Sequence, residues 1–311
     1  METVAIVMTC FNSERYLNQT LKSIAKQNFK DWKLYVNNDG SIDNTFKILK
    51  KFKEKFKNTT IINQKNSGQV KAKNKLLKII DDHKYIAFID SDDIWHTEKL
   101  ARQIKYLEGS KYSLCYTDGF YINKNNSILS EIGINSQYSG SCLKSFLVSN
   151  AIVFSSVLID SSIINEIGFF DESLDACENW DLWTRIAEKN EIIGIKEKLV
   201  YYRKHSNNMS LNIKKMLSNR LALINNNAKR YRNNFNDIDS ITQYALYQCY
   251  YSFGKHELWS LNLTEAKKNL LLAIKYKPLC LKSRILYLKS CLGKSIILFY
   301  RKILNRRFYA R

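Results

Sequence analysis

The sequence predicts an α/β fold, with a mostly parallel sheet flanked by helices and an all-helical, basic C-terminal extension. Short uninterrupted apolar runs, such as residues 4–8 and 85–89, fit strands buried on both faces. Between them lie stretches with apolar residues at helical spacing, the alternation that builds βαβ units. After residue 210 the strand signals stop, and the chain becomes helical in pattern and strongly positive.

Taken in order, Val4-Ala5-Ile6-Val7-Met8 is the first strand. The next helix places Leu17, Leu21 and Ile24 on one face, with Asn12 or Ser13 as its cap. Leu34-Tyr35-Val36 is the second strand, and Asn38-Asp39-Gly40-Ser41 is a turn. Asp43 then caps a helix whose apolar face is Phe46, Leu49, Phe52 and Phe56. Ile61-Ile62 marks a third strand, a helix carries Ala72, Leu76 and Ile80, and Tyr85 to Ile89 is the fourth strand. Beyond residue 110 the pattern is mixed. Strands are predicted at 113–116, 157–159, 192–195 and 199–202, and a hairpin turns at Lys124-Asn125-Asn126. A short helix stops at Gly168, and 179–188 is helical. Residues 242–278 form a helical hairpin resembling the second half of a tetratricopeptide-type repeat.

Composition narrows the class. Apolar residues at 45% and aromatics at 13% belong to a folded protein. Residues 211–311 hold 20 Lys and Arg against 4 Asp and Glu, a net +16, whereas residues 1–210 carry only +4. Such a tail meets an anionic surface, either lipid or nucleic acid. No nucleic-acid-binding motif is present, and the positive charge lies away from the predicted strand ends, so nucleic acid is not expected as a partner. The seven cysteines form no CxxC pair and fit reduced, mostly buried thiols. No secretory leader and no membrane-spanning run is read, which gives a cytoplasmic expectation.

In a parallel sheet, ligands bind outside the carboxyl ends of the strands. Asp90-Ser91-Asp92-Asp93 follows the fourth strand. Three carboxylates in four residues repel one another unless a cation or a ligand's donors lie between them. Hard oxygen ligands of this kind suit Mg²⁺ or Mn²⁺, completed by substrate phosphates. Asp39 ends the second strand, and Thr9-Cys10-Phe11-Asn12 ends the first.

These strand ends together resemble glycosyltransferase family 2, of the GT-A Rossmann-like fold. The matching segments are Thr9-Cys10-Phe11-Asn12, Asn38-Asp39-Gly40-Ser41-Ile42-Asp43, Asn66-Ser67-Gly68, Ala72-Lys73-Asn74 and Asp90-Ser91-Asp92-Asp93. Glu178-Asn179-Trp180-Asp181 and Tyr202-Arg203-Lys204-His205 complete the set. The resemblance covers residues 3–210 and makes 1–210 a catalytic domain and 211–311 a basic helical region. It implies an inverting transfer of a sugar from a nucleotide-diphosphate donor, a UDP-sugar by preference, to a glycan or lipid-linked hydroxyl in surface-polysaccharide, lipopolysaccharide or capsule synthesis. By the same resemblance Thr9, Phe11 and Asp39 line the base pocket, and Lys73 meets the donor's phosphates or base. Asp90 faces the ribose or sugar. Asp92 holds Mn²⁺ or Mg²⁺, with His205 near the diphosphate.

The sequence departs from the family at one telling place. Members usually read Glu-Asp where this chain has Glu178-Asn179, and that Asp is taken as the base. An amide accepts no proton at neutral pH. Glu178 or Asp181 therefore substitutes, with Glu178 preferred, or the chain is a donor-binding subunit impaired in catalysis. Asp181 also stands four residues before Arg185, the spacing of a helix salt bridge. At the C-terminus, apolar residues 296–300, 303 and 304 alternate with Arg301, Lys302, Arg306 and Arg307. That pattern suits an interfacial helix on the cytoplasmic face of the inner membrane.

Overall fold

The computed structural model describes residues 4–80, 82–134, 136–206, 208–295 and 297–298. It divides into two compact units. One comprises residues 1–146 and 150–211, and the other residues 147–149 and 212–311.

The first unit is built on one nine-stranded sheet. Its elements are β1 (Val4–Cys10), α1 (Glu14–Ala25), β2 (Trp32–Asp39), α2 (Thr45–Lys55), β3 (Thr59–Gln64), α3 (Gln69–Leu77), β4 (Tyr85–Phe88) and β5 (Ile94–Trp95). Then come α4 (Lys99–Leu107), β6 (Tyr112–Ile122), β7 (Ile128–Ile132), α5 (Leu143–Val148, whose last two residues are assigned to the other unit), β8 (Leu158–Asp160), α6 (Ser162–Ile167), α7 (Glu178–Lys189) and β9 (Glu191–Arg203). The strand order is β3-β2-β1-β4-β8-β6-β9-β5, with β7 on β6. β1 to β4 pair in parallel, as their doubly buried apolar runs require. β8 is antiparallel to both β4 and β6, and β9 is parallel to β6. Two antiparallel steps restore the direction. The carboxyl ends of β6 and β9 therefore arrive at the same edge as those of β1, β2 and β4, and this brings residues beyond 200 to the loop after β4.

Packing explains the register. Val4 to Val7 of β1 are wholly buried between helical layers. α1 buries Tyr16, Leu17, Leu21 and Ile24, and α7 buries Leu182, Trp183 and Ile186. Where two short strands were expected at 192–195 and 199–202, β9 is continuous. It absorbs the interruption by register shifts opposite Thr117 to Gly119. A side chain at Gly119 would meet the Val200 carbonyl at 2.2 Å, so only glycine lets the two strands stay paired there.

The helix starts also differ from expectation. Ser13 does occupy the cap position of α1, but its hydroxyl bonds Ser91 at 2.8 Å rather than a helix amide. Asn44, not Asp43, is the cap residue of α2, although Asp43 still accepts from the Thr45 amide.

The second unit is helical: α8 (Ile213–Arg230), α9 (Ile238–Trp259), α10 (Leu263–Tyr276) and α11 (Leu281–Cys291). α9 and α10 form an antiparallel hairpin. A side chain at Gly254 would meet Leu270 at 2.7 Å, so the helices cross at a distance that only glycine permits. No described helix is long and apolar enough to cross a membrane. The amphipathic stretch expected at 296–307 lies outside the described residues except for Ile297 and Leu298.

One buried charge carries a testable cost. Lys99 is fully buried, bonded to Gln103 Oε1 at 2.6 Å, and 4.1 Å from the Trp95 ring. Burial disfavours its charged form and pulls its pKa down to about 7, while the nearby Cys115 thiol acts in the opposite sense. Between pH 7 and about 10.5 the unfolded chain binds a proton that the native chain does not, so this group's penalty is relieved as pH rises. Urea denaturation should show wild-type stability gaining on Lys99→Met from pH 7 to pH 10, by at most about 1.4 kcal/mol per pH unit. A pH-independent difference between the two would refute the buried-lysine account.

Candidate active site

The loops after β1, β2 and β4 are knitted into one surface. The Asn12 amide donates to Ser41 Oγ at 2.9 Å, and the Ile42 amide returns a bond to Asn12 Oδ1 at 3.0 Å. The Ser13 amide donates to Thr45 Oγ1 at 2.7 Å, and Glu14 Oε2 accepts from the Asn44 amide. The Thr20 hydroxyl donates to the carbonyls of Ser91 and Asp93. Asn12 holds φ +48° to make these turns, a conformation asparagine tolerates better than most residues. Thr9 is half-buried at this edge, and Phe11 leaves about half of its surface, 53%, exposed.

Asp39 is buried and fully engaged. It accepts from the amides of Ser67 at 2.8 Å and Gly68 at 2.9 Å, and from Gln64 Nε2 at 2.8 Å. The Asn66-Ser67-Gly68 turn is thus held against β2 by this carboxylate. Gly40 makes the approach possible, since it has φ +79° and a Cβ there would meet the Asn66 amide at 2.5 Å.

The three carboxylates after β4 separate by environment. Asp93 turns inward and is fully buried, accepting from Ser155 Oγ at 2.5 Å and from the Arg203 amide at 2.8 Å. Burial pushes its pKa well up, with Asp92 and Asp90 adding to the effect. Asp90 is held by a bond from its own amide to Ser155 Oγ. Burial raises its carboxyl to about 7, against the opposing pull of Lys73, with Asp92 and Glu178 pushing the same way as burial. Asp92 is half-exposed, 24% at its side chain, and its Oδ2 lies 2.7 Å from His205 Nε2. His205 stacks against Tyr16 at 5.1 Å, and its backbone is held by Asn208.

A second pair lies beneath. Lys73 Nζ is 2.7 Å from Glu178 Oε1 and 4.0 Å from the Phe154 ring, and both charged groups are buried. Gln69 also donates to Oε1. Glu178 Oε2 is buried without a hydrogen-bond partner. Asn179 Oδ1 lies 3.4 Å from Lys73 Nζ. Asp181 is buried and paired with Arg185 at 2.8 Å, and the same guanidinium bonds the carbonyls of Ile167 and Phe169. The i,i+4 spacing is thus used for the helix salt bridge.

Sequence reading missed Arg203 and Ser155. Arg203 is fully buried and donates to the Asp92 carbonyl, the Asn123 carbonyl, Asn126 Oδ1 and Gln19 Oε1. It also stacks 4.5 Å from the Tyr16 ring. Its place beside His205 in Tyr202-Arg203-Lys204-His205 was the available signal. Ser155 sits in an ordinary apolar stretch that offered none.

Among the described residues, no three His, Cys, Asp or Glu side chains are arranged to hold a metal by themselves. The Asp92–His205 pair nevertheless supplies a hard oxygen and an imidazole nitrogen beside two further carboxylates. The outward-facing Asp92 oxygen beside the His205 nitrogen fits two of the ligands a divalent cation would take, with phosphate oxygens completing it.

Comparison with known proteins bears on the family and the fold. The family model described as Glycosyl transferase family 2 matches residues 5–146. The UDP-Glc:alpha-D-GlcNAc-diphosphoundecaprenol beta-1,3-glucosyltransferase WfaP of Escherichia coli is 31% identical over 220 residues, covering 68% of this chain and 81% of that protein. The chain is a member of glycosyltransferase family 2. WfgD of Escherichia coli, which carries the same activity in its name, is 32% identical over 193 residues, covering 62% of this family 2 chain and 72% of WfgD. In fold, the chain matches TarS of S. aureus in complex with UDP-GlcNAc, with TM-score 0.66 and 17% identity over 96% of this chain and 92% of that one. It also matches the mannosyltransferase PcManGT of Pyrobaculum calidifontis in complex with GDP-Man and Mn²⁺, with TM-score 0.59 and 12% identity over 93% and 84% of the two chains.

For this family 2 protein, Arg203 is the structural test of the site. Arg203→Met keeps the stem but strands four acceptors and leaves Asp93 without its neighbouring cation. A loss of about 3 kcal/mol or more is expected in urea denaturation, with Arg203→Lys recovering part of it. Equal stability of all three proteins would contradict the clamp.

Proposed function

We propose that this family 2 enzyme transfers a sugar from a UDP-sugar to a hydroxyl of a lipid-linked glycan, with inversion at the anomeric carbon. The observation that carries the reading is the outward-facing Asp92 carboxylate against His205, at the edge where β1, β2, β4 and β9 end. The relatives WfaP and WfgD, whose names specify UDP-glucose and a diphosphoundecaprenol-linked acceptor, support the donor and acceptor classes.

The residues divide the work. Thr9, Phe11 and the Asp39 turn form the base-binding edge, with the exposed Phe11 ring available to the uracil face. Asp90 meets the ribose or sugar. Asp92 and His205 would hold Mn²⁺ or Mg²⁺, which would supply positive charge to a diphosphate leaving group without a proton donor. Glu178 accepts the acceptor's proton through Oε2, the oxygen that no protein group occupies. Lys73 orients that carboxylate from the other side. The basic helical unit meets the membrane surface where a lipid-linked acceptor resides.

A second reading draws on the same pair. Glu178 is buried against Lys73, and Asn179 stands where the usual base would, which favours a donor-binding subunit that has lost turnover.

Donor hydrolysis and binding across UDP-, GDP- and dTDP-sugars, with Mn²⁺, Mg²⁺ or EDTA, decides among these. Turnover of a UDP-sugar only with metal, falling about a hundredfold or more in Asp92→Asn, is the expected result. Metal-dependent binding without consumption, even with a lipid-linked acceptor, establishes the second reading. No binding of any nucleotide sugar refutes both. Glu178→Gln should lower kcat by about a hundredfold to ten thousandfold while donor affinity is retained. Unchanged kcat in that variant removes Glu178 from the proton transfer.

A further inference from the structure

α11 is packed inside out. Its inward face consists of Ser283 and Ser290, both fully buried, with the half-buried Leu286 between them. Its outward face carries Leu281 at 69% exposed, Ile285 at 42% and Leu288 at 62%, and Leu292 at the C-cap continues it at 48%. These four residues stand at i, i+4, i+7 and i+11, a single stripe within about 60° of the helix circumference. Leu279, two residues before the helix, adds a side chain that is 92% exposed. An ordinary surface helix reverses this arrangement, with leucines inward and small polar residues outward.

The stripe is flanked by cations. Lys282 lies along one side and Arg284 along the other, and α11 contains no acidic residue. After Glu265 the chain has thirteen Lys and Arg and no Asp or Glu.

We propose that the Leu281–Ile285–Leu288–Leu292 face of α11 inserts into the apolar boundary of an anionic lipid bilayer, while Lys282 and Arg284 contact its headgroups. This deepens the reading of the basic unit given above, and rests on it, by naming the surface and adding a hydrophobic contact to the electrostatic one. Charge complementarity selects the occupant. A second copy of the chain would bring two acid-free, basic faces together, which like charges oppose. An anionic leaflet instead gains from both the stripe and its flanks.

The test uses the full chain without donor, sedimented with vesicles of phosphatidylglycerol and phosphatidylcholine or of phosphatidylcholine alone. The wild type is expected to partition to the anionic vesicles only. Leu281→Gln/Leu288→Gln, at two exposed positions where the thermal midpoint should not move, is expected to partition at least about tenfold less well. Lys282→Gln/Arg284→Gln should also bind less well. If the leucine variant binds anionic vesicles as the wild type does, charge alone holds the chain and the inserted stripe is refuted, while the broader basic-surface reading stands. If neither protein binds anionic vesicles, both fall. If the wild type self-associates in sedimentation equilibrium and the leucine variant is monomeric, with vesicle binding unchanged, a second copy covers the stripe and the proposal is overturned. UDP-sugar hydrolysis by the same protein preparations, assayed in parallel with donor and metal added, reads the catalytic proposal separately.

Discussion

Three carboxylates within four residues cannot share one strand end in low dielectric unless something separates or balances them. Arg203 and Ser155 resolve this constraint, and the arrangement of the site follows from how they do so. The Arg203 amide and Ser155 hydroxyl draw Asp93 inward, and the guanidinium fastens the Asp92 carbonyl to α1 and to the turn between β6 and β7. With Asp93 removed to the interior, Asp92 is left facing out toward His205. The carboxylate that looks most redundant in the sequence is therefore the one that fixes the geometry of the others.

The same logic of balance governs the layer beneath. Glu178 is buried, but Lys73 lies against one of its oxygens and leaves the other without a partner. A buried ion pair of this kind contributes little net stability, yet losing one partner is costly because the other stays buried and charged. Lys73, Glu178 and Asp90 influence one another, so the site behaves as one electrostatic unit rather than as separate residues.

Much of this was legible in the chain itself. β1, β2 and β4 announce themselves as doubly buried apolar runs, and the rule that ligands lie beyond strand ends then selected Asp39 and Asp90 to Asp93. Short-range patterning could not reveal which of the three carboxylates turns inward, because that depends on Ser155 and Arg203, 62 and 110 residues away from Asp93. β9 was read as two pieces because its polar interruption at 196–198 resembles a turn locally. Pairing with β6, which only the assembled sheet supplies, carries it through. The inverted helix α11 was hidden for a different reason. Periodicity reveals that a helix has an apolar face, but not whether that face is covered.

The turn at Asn66-Ser67-Gly68 is pinned to Asp39 by two backbone amides and a glutamine, and Gly40 packs directly beneath it. The entropy of ordering this edge is lost when the chain folds, not when a ligand arrives. If this is the base-binding edge, as proposed, a nucleotide would meet a surface already in place, and the freedom left to lose on association would belong to the ligand and to the exposed Phe11 ring. The proposed binding edge is thus a shape fixed by folding, at the cost of the chain's own entropy.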